Sequence, residues 1–280
     1  RLTESSDAVR LVNAYWGQLA QSNSKNGRPR YVLLDEHKEG YGNRIYSLTN
    51  ALLIGLLSNS SATVVRWRHI DAYFHFPLAN LLVNNESMSI ARLLNELPTA
   101  SKVWLDTNSA NAWEAKKDLG TLRTSIPVRS EHRAYMLSNY NPLFFELACN
   151  PAYFGLFERL GLVNADVLRD ARQATALGSA FSDEERLERL FRVGYNIGYT
   201  LMTSFMRPTT LLEQQLHSFY EQHMRGHYVI GMQIRFLYMD YSSDTYPFLK
   251  CALDLERAHL KYIICSELFV CGVCVSGVCV

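Results

Sequence analysis

The sequence predicts an α/β fold with a parallel sheet. Two segments predict it, and the composition supplies the core they require. In the first segment, Tyr31-Val-Leu-Leu-Asp35 is a short apolar run of the kind that forms a buried strand. A glycine-bearing turn, Glu39-Gly-Tyr-Gly42, follows. Residues 43–57 then show helical spacing, with Ile45, Leu48, Leu52, Leu53, Leu56 and Leu57 apolar. Ala62-Thr-Val-Val-Arg-Trp67 is a second strand. A strand, a helix and a strand in this order make the parallel unit of an α/β sheet. The second segment repeats the pattern with a strand over 227–236, a helix over 246–261 and an apolar, β-prone stretch from Tyr262.

The middle is less regular. Spacing predicts a helix over 87–94, a strand over 102–105, and short helices over 141–175 broken at Asn150-Pro151 and Gly161. Ser182 with Glu185 three residues on is a capping-box signature, and the helix it opens runs through Leu187, Leu190, Phe191 and Val193 to about residue 205. Pro208 opens another helix, over 209–224, with Leu211, Leu212, Leu216 and Tyr220 on one stripe. A fresh sheet begins after it, which divides the chain into an N-terminal domain over 1–210 and a second domain over 211–280.

Of the 280 residues, 48% are apolar and 20% charged, the balance of a globular chain. A net charge of +1 lacks the basic excess of a nucleic-acid-binding protein, so no nucleic-acid partner is expected. Cys271-Gly-Val-Cys274 has zinc-knuckle spacing, but no His or second Cys pair stands at a suitable distance. The six cysteines are read as disulfides or buried thiols, and no metal site is expected. Asn59-Ser60-Ser61 and Asn85-Glu86-Ser87 are sequons suited to a lumenal protein.

Two places carry candidate chemistry. Gly40-Tyr-Gly42-Asn43-Arg44 lies between a strand and a helix, where small residues let a ligand approach and helix amides favour an anion. A tight turn with no ligand explains the same glycines. Ile230-Gly-Met-Gln-Ile-Arg235 is an apolar strand with Arg235 near its carboxyl end, where open α/β sheets bind ligands. The guanidinium could hold two phosphate oxygens, or pair with Asp240 or Asp244.

Residues 40–45, Gly-Tyr-Gly-Asn-Arg-Ile, resemble the Gly-x-Gly-Asn-Arg-Ile opening of the plant xyloglucan (galactoside α1,2-) fucosyltransferase family and its eukaryotic relatives. Residues 206–235, Met-Arg-Pro-Thr-Thr through Ile-Gly-Met-Gln-Ile-Arg, resemble that family's run into its GDP-binding motif. Pro247-Phe248, Cys251-Ala252 and Leu255-Glu256 are similar to the helix that follows it. The resemblance covers roughly 30–68 and 200–260 and leaves 70–200 matched only in general character.

The resemblance implies two facing Rossmann-like domains of GT-B type, the second incomplete here. It implies GDP-fucose as donor substrate, no cofactor, no divalent metal, and inverting transfer of fucose to a glycan acceptor through an oxocarbenium-like transition state. Arg235 would bind the diphosphate and stabilise the leaving GDP, with Gln233 beside it. Gly40, Gly42, Asn43 and Arg44 would line the cleft from the first domain, Arg44 alternatively forming a structural ion pair. Asp35, Glu36 and His37 follow the first strand within reach of the cleft, and the general base is not readable among them. A Golgi-lumenal, type II protein is implied, with its anchor upstream, since the chain opens on polar residues from Arg1. The family continues beyond the Gln-Ile-Arg motif for longer than this chain does, and the Cys/Val-rich end after Tyr262 is unlike it. A partial donor site and an inactive fragment follow as an expectation. A protein O- or α1,6-fucosyltransferase, and a non-catalytic glycan- or nucleotide-binding remnant, stay open as alternatives.

Overall fold

The computed structural model describes residues 2–27, 29–35, 41–84, 90–106, 130–138, 144–176, 178–226, 229–233 and 262–266. The chain forms two compact units, Arg1–Thr209 and Thr210–Val280.

The first unit is built on a parallel five-stranded sheet. Its strands are β1 (Tyr31–Leu34), β2 (Ala62–Val65), β4 (Leu81–Val83), β5 (Lys102–Asp106) and β6 (Ala134–Ser138), in the order β4-β2-β1-β6-β5. β1 is central, pairing Leu34 with Val65 of β2 on one side and with Leu137 of β6 on the other. Alternate side chains of a strand face opposite sides, and the core divides accordingly. Val32, Leu34, Val65, Tyr135 and Leu137 belong to the larger apolar cluster, and Leu33, Val64 and Met136 to the smaller.

Helices cover both faces. On the larger side lie α1 (Leu2–Lys25), α2 (Tyr41–Leu57), α5 (Phe144–Ala148), α6 (Phe154–Arg159), α7 (Ala165–Thr175) and α8 (Asp183–Phe205), whose buried residues include Trp16, Leu52, Phe144, Phe157, Leu168 and Leu201. On the smaller side α4 (Ile90–Glu96) buries Ile90 and packs Leu93 and Leu94. A short helix α3 (Ile70–Tyr73) leads to β3 (Phe74–His75), which pairs antiparallel with β7 (Arg207–Pro208). The α/β class with a parallel sheet is therefore the observed one.

α8 begins as its sequence predicts. The Ser182 hydroxyl accepts from the Glu185 amide, and the Glu185 carboxylate accepts from the Ser182 amide at 2.8 Å. Gly194 and Gly198 then let α8 press on α5. An added Cβ would come within 2.5 Å of Phe145 Cδ1 at the first and 2.7 Å of Phe144 Cε2 at the second.

Several boundaries differ from the sequence reading. α2 opens at Tyr41, so Gly42, Asn43 and Arg44 lie within its first turn rather than in or just after a glycine turn. Gly42 has no positive φ and open space around it, so its lack of a side chain leaves its backbone accessible rather than relieving strain. β2 ends at Val65; the Arg66 amide still donates to the Leu34 carbonyl at 2.9 Å, and Trp67 has left the ladder. The helix after Pro208, α9 (Thr210–Phe219), ends in a π-helical turn, Tyr220–Met224, and its Leu211, Leu216 and Tyr220 are exposed. α1, β4 and β6 are elements the periodicity did not reveal.

The second unit holds α9 and the parallel pair β8 (Val229–Gln233) and β9 (Tyr262–Ser266), with Gln233 opposite Ser266. The helix expected over 246–261 lies outside the described residues. Among the described residues, no helix is long and apolar enough to cross a membrane.

Candidate functional site

All five strands of the larger sheet in the first unit run in one direction, so their carboxyl ends share an edge. Ligands of parallel sheets collect outside that edge. The first turn of α2 is placed there by the short connection from β1. The amides of a helix's first turn have no partner within the helix, and they point at whatever approaches. Gly42 is exposed, and Asn43 and Arg44 are half-buried.

The two polar residues of this turn look onto different neighbours. Successive helix residues diverge by roughly 100°. Asn43 shares its face with Ser47, whose hydroxyl donates to the Asn43 carbonyl at 3.0 Å, and with Asn50 one turn further on. The Asn50 amide oxygen accepts from the Phe144 N–H at 2.9 Å, which ties this face to α5. Arg44, roughly 100° further round the helix, meets a different neighbour. Its guanidinium carbon lies 5.9 Å from the centre of the Trp67 ring, a cation–π distance.

Trp67 is held by a third strand's end. Just past β4, Asn84 takes a left-handed backbone with φ of 48°. Its side-chain oxygen accepts from the Trp67 N–H at 2.9 Å, and its side-chain amide donates to the Trp67 carbonyl at 2.7 Å. The amide group thus extends the sheet by one rung where both strands have ended. Trp67 itself is buried.

Beside it, Arg66 forms a fork with Asp35, the first residue past β1. Arg66 Nη2 donates to Asp35 Oδ2 at 2.8 Å, and Arg66 Nε donates to Oδ1. The pair is substantially exposed, so it is a geometric link more than a source of stability. Both carboxylate oxygens of Asp35 accept from Arg66.

The structure therefore brings together Gly42, Asn43 and Arg44 of the expected site. Gln233 ends β8 in the other unit, with only its backbone described. Gly40 and Arg235, together with Glu36 and His37, lie outside the described residues. Among the described residues, no group of three or more His, Cys, Asp or Glu side chains is placed to hold a metal ion. Sequence reasoning missed Arg66, Trp67 and Asn84 as parts of this edge. The signal for the first two was present, because a strand ending in Arg-Trp puts large polar and aromatic groups where the ladder stops.

Among the described residues, burial governs the most strongly shifted group. Cys149, at the end of α5, is a buried free thiol, and burial, with a smaller push from Glu146, raises its pKa to about 12. It lacks the accessible thiolate that nucleophilic chemistry needs.

No family model and no curated protein matches the chain. Solved structures are similar at low identity. NodZ α-1,6-fucosyltransferase soaked with GDP-fucose is 14% identical over 86% of this chain and 72% of its own, with a TM-score of 0.40. Fucosyltransferase NodZ from Bradyrhizobium is 13% identical over 86% of this chain and 73% of its own, at 0.42. A mutant of Arabidopsis thaliana FUT1 in complex with GDP is 13% identical over 96% of this chain, with a TM-score of 0.49, and this chain spans 59% of its length. A likeness of that size does not by itself assign a chemistry to this chain.

Proposed function

We propose that this chain is the donor-transfer portion of a GDP-fucose-dependent fucosyltransferase of the two-domain GT-B kind. One observation supports the reading most. The Gly42-Asn43-Arg44 turn, which resembles the family's opening motif, starts a helix directly beyond the central strand of a parallel sheet. That is the position from which helix amides and a guanidinium can meet a nucleotide diphosphate. The Ile230-Gly-Met-Gln-Ile-Arg235 motif is compatible with it, since residues 229–233 form a strand paired in parallel with the next.

In this reading Arg235 and Gln233 serve the GDP moiety from the second unit. Gly40, Gly42, Asn43 and Arg44 serve the donor or the acceptor. The bond between fucose C1 and the β-phosphate oxygen breaks, and its electron pair stays with GDP. The acceptor hydroxyl oxygen bonds to C1 from the opposite face and gives its proton to a base. Arginine charge placed on the diphosphate stabilises the leaving group, an effect worth roughly 3–4 kcal/mol where a single such donor has been removed. We assign the acceptor to galactosides, in α1,2 linkage, on the Asn43-Arg44-Ile45 continuation. We place the protein in the Golgi lumen with a type II anchor; the exposed Asn59 of the first sequon is compatible with a lumenal surface.

Calorimetric titration with GDP tests the donor site. Micromolar binding that is lost in Arg235→Ala is the expected result. Unchanged binding in that variant would remove Arg235 from the site. Transfer from GDP-fucose to a galactose-terminated acceptor tests the reaction.

A further inference from the structure

The C-terminal half of α8 is unlike an ordinary surface helix. Residues 183–192 carry charge at seven of ten positions, and residues 193–205 carry none. Outward faces of surface helices are normally charged. Here the outward row is Tyr195, Tyr199 and Thr203, spaced four apart, with Tyr195 64% and Tyr199 71% exposed. The glycine just before each tyrosine, Gly194 and Gly198, is buried, the first against Phe145 and the second against Phe144. The helix therefore presents two tyrosine rings while its other side is locked in place.

The first of these rings, Tyr195, belongs to a chain of aromatic contacts. Tyr195 meets Phe145 edge to face at 4.8 Å, Phe145 meets Phe144 at 4.5 Å, and Phe144 meets Tyr46 at 6.1 Å. Tyr46 is 38% exposed and stands one helical turn from Asn43. These contacts link the start of α2, at the carboxyl edge of the sheet, to Tyr195 of α8 by way of Phe144, which is buried.

We propose that this face of α8, with Tyr195 and Tyr199 as its exposed rings, is a binding platform for the neutral saccharide chain of the acceptor. The inference rests on the fucosyltransferase reading for the identity of the ligand as an acceptor. The binding surface itself is argued from chemistry. One face of a pyranose is a patch of C–H groups, which the negative face of an aromatic ring attracts. Its rim is hydroxyl, which tyrosine hydroxyls and Thr203 can bond. Exposed aromatic side chains on an uncharged helix face mark a binding surface. The absence of charge matches an uncharged, polyhydroxylated ligand and offers nothing to a polyanion. The link to the start of α2 orients such a ligand with one end toward the expected site of transfer.

Two variants test it, Tyr195→Ala/Tyr199→Ala and Tyr195→Phe/Tyr199→Phe. Both positions are exposed, so each variant keeps the fold, as circular dichroism will verify. Saturation-transfer NMR with lactose and with a longer galactose-terminated oligosaccharide reads binding to the chain without any turnover. We expect binding of the longer saccharide to the parent, retention in the Phe pair, and about tenfold weaker binding in the Ala pair. Where transfer is measurable, the acceptor KM rises about tenfold in the Ala pair, while kcat and the GDP-fucose KM hold. Equal saccharide binding by parent and Ala pair overturns the platform. So does sedimentation showing that the parent self-associates through these tyrosines and the Ala pair does not. Failure of the enzyme reading looks different: the parent would bind no GDP, whereas saccharide binding and its loss in the Ala pair would persist.

Discussion

The Arg44 guanidinium stacks on the ring of Trp67, 5.9 Å from its centre, so a residue at the start of α2 is oriented by one just past β2. The ring limits where the guanidinium can point. Trp67→Phe keeps a smaller aromatic face and leaves a partial void. On the proposed function, we expect the GDP-fucose KM to rise severalfold with kcat little changed, and Arg44→Ala to show a larger effect in the same direction. Steady-state kinetics on the two variants checks this.

Asn84 supplies both a donor and an acceptor to Trp67. Asn84→Asp keeps the shape and turns the donating end into an acceptor facing the Trp67 carbonyl. Urea denaturation should show a loss of about 1–3 kcal/mol. Asn84→Gly relaxes the left-handed backbone and loses the clamp, so it should also destabilise. Its loss should be smaller than that of the Asp variant.

Gly194 and Gly198 sit in the interior of α8, where alanine would ordinarily favour the helix by about 1 kcal/mol. Here the added methyl would meet Phe145 and Phe144 at 2.5 and 2.7 Å. Gly194→Ala, which also confronts the Phe145 Cα at 3.1 Å, should be the worse of the two. A net destabilisation of about 1–3 kcal/mol is expected, read as a lowered thermal midpoint.

The Cys149 thiol is raised from 9.0 to about 12 by burial. The folded state therefore binds a proton that the unfolded state releases between those values. The stability this group contributes is complete below pH 9, declines as pH rises through the window and is gone above about 12. Native protein at pH 8 should leave Cys149 unalkylated by iodoacetamide, as peptide mapping will show, and denatured protein should modify it fully. The stability difference between the parent and Cys149→Ala should narrow as pH climbs past 9.

Much of this architecture was legible from the chain, and the failures have physical causes. The apolar stretch 31–34, the helical stripe from Ile45 to Leu57 and the Ser182/Glu185 box each carry a strong local signal, and each forms the element it predicts. β6 was not legible because Ala134-Tyr-Met-Leu-Ser138 is short and uniform, and its identity as a strand comes from pairing with β1 and β5. In α1 the stripe Ala8, Val12 and Trp16 is present but sits among polar residues, and only packing reveals it. At the site, the residue types of 42–44 were readable. Their different facings were not, because they depend on Trp67 and on α5, which lie elsewhere in the sequence.

The position of β1 also bears on how the molecule acquires its shape. Tyr31 lies beside both Ala62 and Ala134, and the second partnership is sealed at its base by Arg133 donating to the Pro29 carbonyl at 2.9 Å and Arg30 donating to the His132 carbonyl. A chain emerging from the ribosome can pair β1 with β2 early. It must then hold one flank of its central strand open until about seventy more residues have been made. Loops of that span close slowly. During synthesis the exposed flank of β1 is thus the molecule's point of greatest vulnerability to misassociation, and the arrival of β6 is the event that ends it.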